Sequence, residues 1–248
     1  MQFGGYGLAA LLALGTPAGA DQRYVVSGND TYQIGQSNLN ASIAYNGVQT
    51  LVVRPEDGGR RFTAQARYTR VDSAGSVPAQ ATFVQVMSSA GELHDRTNLD
   101  PDYLTVLNQP FAIELDEPTL HDLLRLRGRV PFVFPAPMTG GTLRGFLERG
   151  SIGHVNDRPA LGVDFDARGP MVGPLPDHAE MSISGTMRMK GTAYYALRGE
   201  PLLLALTESL TISGSLHDRG RVSPVTIVYR RTIKASDSAS TEAAANSK

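Results

Sequence analysis

The stretch from Met181 to Ile233 alternates apolar and polar residues so regularly that it constrains the fold more than any other part of the chain. Up to Leu197 the odd positions are mostly apolar, while the even positions are mostly Ser, Thr, Arg or Lys. After a turn containing Gly and Pro, the apolar residues occupy even positions from Leu202 to Leu216. A period of two is typical of a strand with one buried face. The pattern therefore predicts a hairpin with both apolar faces on the same side.

A third alternating strand follows Gly220 and carries Tyr229 on its apolar face. Matching apolar residues across the two turns predicts that Glu208 lies opposite Gly191 on one side and Tyr229 on the other. The resulting meander has one apolar and one hydroxyl-rich face. Such a sheet is not stable alone in water, so the rest of the chain must cover the apolar face or enclose a ligand against it.

Shorter alternating stretches predict the remaining β structure. A first strand is predicted at Tyr24–Ser27, followed by a hairpin of Leu39–Tyr45 and Val48–Val52 that turns at Asn46-Gly47. A second hairpin turns around Ser73–Ser76 and sets Phe62 opposite Met87. Further along the chain, a strand is predicted at Phe111–Leu115, and a strand pair at Leu143–His154 and Ala160–Asp166 is followed by a Gly/Pro loop at 169–176. The Asn-Gly pair is a strong hairpin signal.

One helix is predicted after Glu117, with Pro118 in its first turn and Leu120 and Leu123 on one face. A shorter helical turn is expected near Asp100. The fold class is therefore mainly β: an antiparallel curved sheet or barrel of about 10–12 strands with one short helix against it. This layout, in an exported chain without cysteine, is similar to that of periplasmic lipoprotein carriers of the LolA type. The similarity concerns layout alone and assigns no residue a role.

The two ends of the chain differ from the middle. Residues 1–20 contain a short Ala/Leu run and end in Ala18-Gly19-Ala20, which predicts a signal peptide. Residues 21–234 form one predicted β-rich domain, and the Ser/Ala/Thr-rich residues 235–248 form a predicted disordered tail. Because an exported chain without cysteine is more typical of bacteria than of eukaryotic secretion, a periplasmic or secreted bacterial protein is expected.

Composition narrows the choice of partners. The chain has 23 Lys and Arg against 24 Asp and Glu, with no long basic cluster, which argues against nucleic acid. The mature chain contains no apolar run long enough to cross a membrane as a helix. A hydrophobic small molecule or lipid is the expected partner. The pattern does not indicate an oligomeric state.

Glu208 is the most informative candidate residue, because the alternation places its carboxylate among inward-facing leucines. A buried carboxylate requires a partner, which is either Arg231 or Tyr229 or the polar group of a ligand. The candidate ligand-binding residues on this face are Glu208, Tyr195, Tyr229, Arg231, Met187 and Met189. Rows containing Gly185, Gly191 and Gly214 are expected to let the sheet curl and to leave room inside.

A second group of ionisable residues surrounds the strand pair before the meander: His154, Asp157, Asp164, Asp166 and His178. Such residues could bind a cation or act as an acid and base pair, but Val163 and Phe165 point the two strand aspartates toward solvent. No recognisable catalytic or phosphate-binding motif is present, and no cofactor, metal or catalytic residue is assigned.

Three functions remain open at this point. The first is a non-enzymatic envelope protein that binds a hydrophobic or lipidated ligand in a cavity of the sheet. The second is a structural or adhesive surface protein that uses its hydroxyl-rich sheet face. The third is a hydrolase that uses His154, Asp164, Asp166 and His178.

The leader interpretation makes a direct prediction. Exported protein should begin at Asp21, because cleavage is expected after Ala18-Gly19-Ala20. N-terminal sequencing of material recovered outside the cytoplasm measures this. A different first residue would contradict the predicted cleavage site.

Overall fold

The computed structural model describes residues 22–35, 39–88, 93–94, 115, 117–125, 128–135, 142–175, 178–198 and 202–236. These residues form strands β1 (Gln22–Ile34), β2 (Leu39–Glu56), β3 (Gly59–Asp72), β4 (Gly75–Ser88), β5 (Leu93–His94), β6 (Arg129–Pro135), β7 (Thr142–Val155), β8 (Arg158–Leu175), β9 (His178–Ala196), β10 (Leu203–Asp218) and β11 (Arg221–Ala235), and helix α1 (Glu117–Arg125). The predicted signal peptide, the helical turn near Asp100, the strand at 111–115 apart from Leu115, and the predicted tail 235–248 apart from its first two residues lie outside the described residues. Ala235 belongs to β11 instead of the predicted tail, because it pairs with Tyr24 and is buried.

The strands form one open antiparallel sheet in the order β5-β4-β3-β2-β1-β11-β10-β9-β8-β7-β6. The chain runs outward from β1 to the edge strand β5, passes through α1 to the opposite edge strand β6, and returns inward to β11. The first and last strands therefore pair in the middle of the sheet, from Tyr24 opposite Ala235 to Ile34 opposite Val225. The predicted curved antiparallel sheet with one helix is confirmed, and the barrel alternative is replaced by an open sheet.

The sheet curls toward its apolar face. Asn156, in the turn between β7 and β8, donates a hydrogen bond from Nδ2 to the carbonyl oxygen of Ala235 on β11 at 2.7 Å. In a flat sheet β8 and β11 would be roughly 14 Å apart, because neighbouring strands are separated by about 4.8 Å. The buried residues of all the long strands therefore form one core on the concave side.

Helix α1 covers part of this core. Leu120 and Leu123 are buried in the same cluster as Leu143 and Leu147 of β7. Arg149 on β7 also donates a hydrogen bond to the carbonyl oxygen of Leu124 at 2.8 Å, which satisfies a free carbonyl in the last helical turn. The sequence-predicted helix is thus confirmed, with Pro118 in its first turn.

The predicted hairpin at Asn46-Gly47 is wrong, because both residues lie in the middle of β2. Gly47 pairs with Val26 on β1 and with Tyr68 on β3. A Cβ atom at position 47 would lie only 2.6 Å from the Cβ of Tyr68, so close packing, rather than a turn, explains the glycine. The strand continues without reversal, so the odd positions Tyr45, Gln49 and Leu51 are buried on one face.

Two predicted pairings are shifted by two residues. Phe62 lies opposite Gln85 instead of Met87, and Glu208 lies opposite Arg231 instead of Tyr229. The connecting loops are shorter than predicted, because Asp72 pairs with Gly75 and Asp218 pairs with Arg221. In the second loop both central residues have positive φ, at 45° and 81°, as two-residue hairpin turns require. A shift of two leaves every side chain on its predicted face.

The predicted Gly/Pro loop at 169–176 is also wrong, because β8 continues to Leu175. Pairing of β8 with β7 ends at Arg168, so Pro170 and Pro174 lie where β9 is the paired neighbour. Proline is tolerated in a strand where its missing N–H faces an unpaired side.

The close approach at Gly47 predicts a large effect of a small substitution. Gly47→Ala should lower the free energy of unfolding by about 1 to 3 kcal/mol, because the added methyl forces β2 and β3 apart. Urea unfolding monitored by circular dichroism measures this. The matched control is Gly153→Ala in β7, where the added Cβ meets nothing within 4 Å. Equal stability of the two variants would contradict the packing argument.

Candidate functional site

Glu208 and Arg231 face each other on β10 and β11 and point to the apolar side of the sheet. Both side chains have 0% exposure, and Arg231 Nη1 donates a hydrogen bond to Glu208 Oε1 at 3.3 Å. The predicted inward orientation of Glu208 is confirmed, with Arg231 as its partner. Tyr229 lies opposite Leu210 instead.

Glycine flanks the ion pair on both sides of its row. Gly191 lies opposite Glu208, and Gly28 lies opposite Arg231. The expected room beside Gly191 is occupied, because a Cβ at that position would lie 2.7 Å from the ring atom Cζ of Phe165. The ring of Phe165 therefore fills the space beside Gly191 that the sequence pattern left open.

The neighbouring row adds further polar groups. Tyr229 lies opposite Asp30, which is fully buried on β1. The rings of Tyr229 and Tyr32 are 6.1 Å apart and perpendicular, and the Arg231 guanidinium lies 5.2 Å from the Tyr229 ring centre. We call Glu208, Arg231, Tyr229, Asp30 and Tyr32 the inner polar cluster. It joins β10, β11 and β1 within an apolar surface.

Burial changes the acidity of two members of this cluster. It raises the pKa of Glu208 to about 7, although the positive charge and hydrogen bond of Arg231 act in the opposite direction. Burial also raises the pKa of Tyr229, and the proximity of Tyr32 and Asp30 adds to that increase. Burial therefore opposes ionisation of both groups, while Arg231 favours the charged form of Glu208.

Gln49 on β2 is a separate buried polar group on the same face. It has 0% exposure, and among the described residues neither Nε2 nor Oε1 has a hydrogen-bond partner. Its neighbours across the sheet are Tyr24 on β1 and Ala66 on β3. Next to Ala66 lies Ala81 on β4, so the row beyond the amide carries only methyl groups.

The other predicted ligand-binding residues lie on the same concave face. Met187 and Met189 have 0% exposure, and Tyr195 has 1%. Met189 lies opposite Leu210, which pairs on its other side with Tyr229, so the methionine is two strands from Tyr229 and one strand from Glu208. The structure thus gathers the six predicted residues on one buried surface; their role toward a ligand remains a prediction.

The structure does not bring together the group proposed for a hydrolase. His154 pairs with Pro159 at the start of β8, whereas His178 pairs with Leu175 at its end. Sixteen residues along β8 separate these partners, which corresponds to roughly 50 Å of strand. Asp164 accepts a hydrogen bond from Thr192, and Asp166 forms an ion pair with Arg188 that lowers its pKa. Both aspartates lie on the solvent face, as the sequence predicted.

Sequence reasoning missed Asp30, Tyr32 and Gln49. Asp30 and Tyr32 lie beyond the predicted first strand at Tyr24–Ser27, but β1 extends to Ile34 and they continue the alternation that begins at Tyr24. Gln49 lies in the predicted return strand Val48–Val52, but the predicted reversal at Asn46-Gly47, which β2 does not contain, obscured the face on which its side chain lies. Continuous period-two alternation through both segments is the signal that could have found them.

A groove of about 740 Å³ lies at the polar face, on the same central strands. Its lining includes residues of the polar face, which are Ser27, Asn29, Asp166, Lys190, Thr192, Thr207, Ser209, Arg230 and Thr232. It also includes residues of the inner-facing row, which are Gly28, Phe165, Gly191, Glu208 and Arg231. The middle of the sheet therefore carries a buried polar cluster on one face and an accessible polar groove on the other.

Within the described residues, no three His, Cys, Asp or Glu side chains are grouped so that they could hold a metal ion. Among the described residues, no helix is long and apolar enough to cross a membrane, and α1 has only 9 residues.

No known protein family and no curated protein sequence matches the chain. One solved structure, described as lipid-protein interactions in lipovitellin, aligns with 87% of this chain and 25% of that one, with a TM-score of 0.43 and 11% sequence identity. The chain thus spans a quarter of that protein, and this low similarity assigns no function.

The raised pKa of Glu208 predicts a pH-dependent stability. The folded state binds the proton more tightly than the unfolded state, in which the pKa is near 4.5. Protonation of Glu208 therefore contributes fully to the free energy of unfolding below pH 4.5, and this contribution is lost as pH rises through about 7, a change of roughly 3 kcal/mol. Glu208→Gln should remove this dependence, so the stability of the variant relative to wild type should increase between pH 5 and pH 8.

Urea unfolding at the two pH values measures the difference. The control is Glu148→Gln, which changes a half-exposed carboxylate that pairs with Arg129 on the surface. A wild-type minus Glu208→Gln difference that stays constant from pH 5 to pH 8 would contradict the assignment.

Proposed function

We propose that this protein is an exported, non-enzymatic protein that binds a hydrophobic or lipidated ligand against the apolar face of its sheet. The leader-like residues 1–20 and the absence of cysteine support export to the bacterial envelope. The extensive apolar face on the concave side supports a hydrophobic ligand.

The observation that carries the proposal is the buried amide of Gln49. Burying an amide without a hydrogen bond costs a few kcal/mol, so such a group requires a partner such as water or a ligand. The side chains of Ala66 and Ala81 next to it occupy little volume, which favours a ligand group beside the amide. The amide can donate to and accept from a polar head while the hydrocarbon part contacts apolar side chains.

The inner polar cluster has a different part in this proposal. Arg231 and Glu208 already bind each other, so they are less available to a ligand than Gln49. Their row lies on strands β10 and β11, whereas Gln49 lies on β2 beyond β1. The cluster is therefore proposed to stabilise the centre of the sheet, and Gln49 is proposed to orient the polar head.

Gln49→Met tests this proposal, because it keeps the volume and removes the amide. Native mass spectrometry of the full chain from a bacterial host should show co-purified lipid on the wild-type protein. After delipidation, binding of palmitic acid should be about tenfold weaker in the variant, the effect of losing one hydrogen bond to a charged group. Leu51→Met, a buried change two residues along the same strand, is the matched control.

Two results would overturn the proposal. One is a wild-type protein that carries no lipid and does not bind palmitic acid. The other is a Gln49→Met variant that is more stable than wild type and binds palmitic acid equally well. That second result would show that the Gln49 amide does not form a hydrogen bond with the polar head of a ligand.

A further inference from the structure

The groove on the polar face contains an ordered row of hydroxyl groups. Thr192, Thr207, Thr232 and Ser27 lie in register on β9, β10, β11 and β1, one residue for each strand. Neighbouring residues in such a row are about 4.8 Å apart across the strands. All four residues line the groove. The Thr192 hydroxyl already donates its hydrogen to Asp164 and can only accept from a ligand, whereas the hydroxyls of Thr207, Thr232 and Ser27 can both donate and accept. We call these four residues the hydroxyl row.

A row with positive charge runs beside the hydroxyl row. Lys190, Ser209 and Arg230 lie in register on β9, β10 and β11. Lys190 and Arg230 are exposed, and their Cα atoms are roughly 10 Å apart because one strand separates them. The serine between them contributes a further hydroxyl at the floor of the groove. We call these three residues the cation row.

The charges at the groove leave a net positive charge, even with the exposed carboxylate of Asp164, which accepts a hydrogen bond from the groove residue Thr192. Asp166 is the carboxylate on the solvent side of the groove, and it accepts two hydrogen bonds from Arg188 at 2.9 and 2.5 Å. The buried Glu208 and Arg231 bind each other beneath the groove. The two exposed cations therefore face solvent beside a carboxylate that Arg188 already neutralises. This charge favours an anionic ligand.

We propose that the groove binds an acidic carbohydrate, a ligand that combines several hydroxyls with carboxylate or phosphate groups. The hydroxyl row matches the ligand hydroxyls, and Lys190 and Arg230 bind its anionic groups. A nucleic acid is less suited, because the one aromatic residue among those lining the groove, Phe165, is buried and offers no exposed ring for stacking. This site lies on the opposite face from Gln49 and does not depend on the proposed hydrophobic ligand.

Titration of the full chain with a tetrasaccharide of galacturonic acid tests the proposal. Isothermal calorimetry at low salt should show binding that weakens as salt increases, because exposed charges are screened. A neutral tetrasaccharide of glucose should bind at least tenfold more weakly. The double variant Lys190→Gln and Arg230→Gln should lose at least tenfold in affinity for the acidic sugar, and each single variant should lose less.

Arg67→Gln is the matched control, because Arg67 is an exposed cation on β3 outside the groove. The affinity of this variant for the acidic tetrasaccharide should equal that of the wild-type protein. Thr207→Val with Thr232→Val should weaken binding without changing its salt dependence, and melting curves should show that all variants fold. Vesicles of phosphatidylcholine with phosphatidylinositol distinguish a lipid headgroup from a free sugar as the source of the same chemistry.

Three outcomes would overturn the proposal. The first is no binding of either the acidic tetrasaccharide or the phosphatidylinositol vesicles by folded wild-type protein. The second is an equal loss of affinity in Arg67→Gln and in the double variant, which would indicate a diffuse charge effect. The third is inorganic phosphate binding as tightly as the sugar, which would remove the role of the hydroxyl row.

Discussion

The pairing of β1 with β11 is the constraint on which the rest of the structure depends. Each of the two meanders, β1 to β5 and β6 to β11, is built from local hairpins, but one sheet forms only when the first and last strands pair. This contact joins residues about two hundred positions apart, so it carries a large chain-closure entropy and must be offset by burial of apolar surface. Tyr24, Val26, Ile227 and Ile233 supply part of that surface along the junction.

The buried ion pair contributes specificity to this arrangement. Apolar alternation has a period of two, so a slip of two residues between β10 and β11 would keep every apolar side chain in the core. Such a slip would separate Glu208 from Arg231 and would leave two buried charges without each other, at a cost of several kcal/mol. Together with the two-residue turn at Arg219-Gly220, the pair therefore selects one register among several that the apolar pattern makes equivalent.

The same reasoning explains which parts of the structure could be predicted. The inward orientation of Glu208 follows from alternation and was predicted, whereas its exact partner depends on loop length, which the pattern does not specify. Asn46-Gly47 has the composition of a turn, but the packing of Gly47 against Tyr68 depends on β3, a separate segment of the chain. Local signals therefore identified faces correctly in the meander and failed where a neighbouring strand determined the role of a residue.

The hydroxyl and cation rows were not predicted as sites for a related reason. Each row contains one residue from each of three or four neighbouring strands, so its members lie far apart in the sequence between Ser27 and Thr232. The members on β9, β10 and β11 become neighbours through the hairpins of the meander, whereas Ser27 joins the hydroxyl row only through the β1–β11 pairing. That pairing also brings Asp30 next to Tyr229 on the opposite face. Central strands hold such rows in a fixed geometry because they are paired on both sides. The edge strands β5 and β6, with 2 and 7 residues, are too short to do so, and both rows accordingly lie on the long strands β9, β10, β11 and β1.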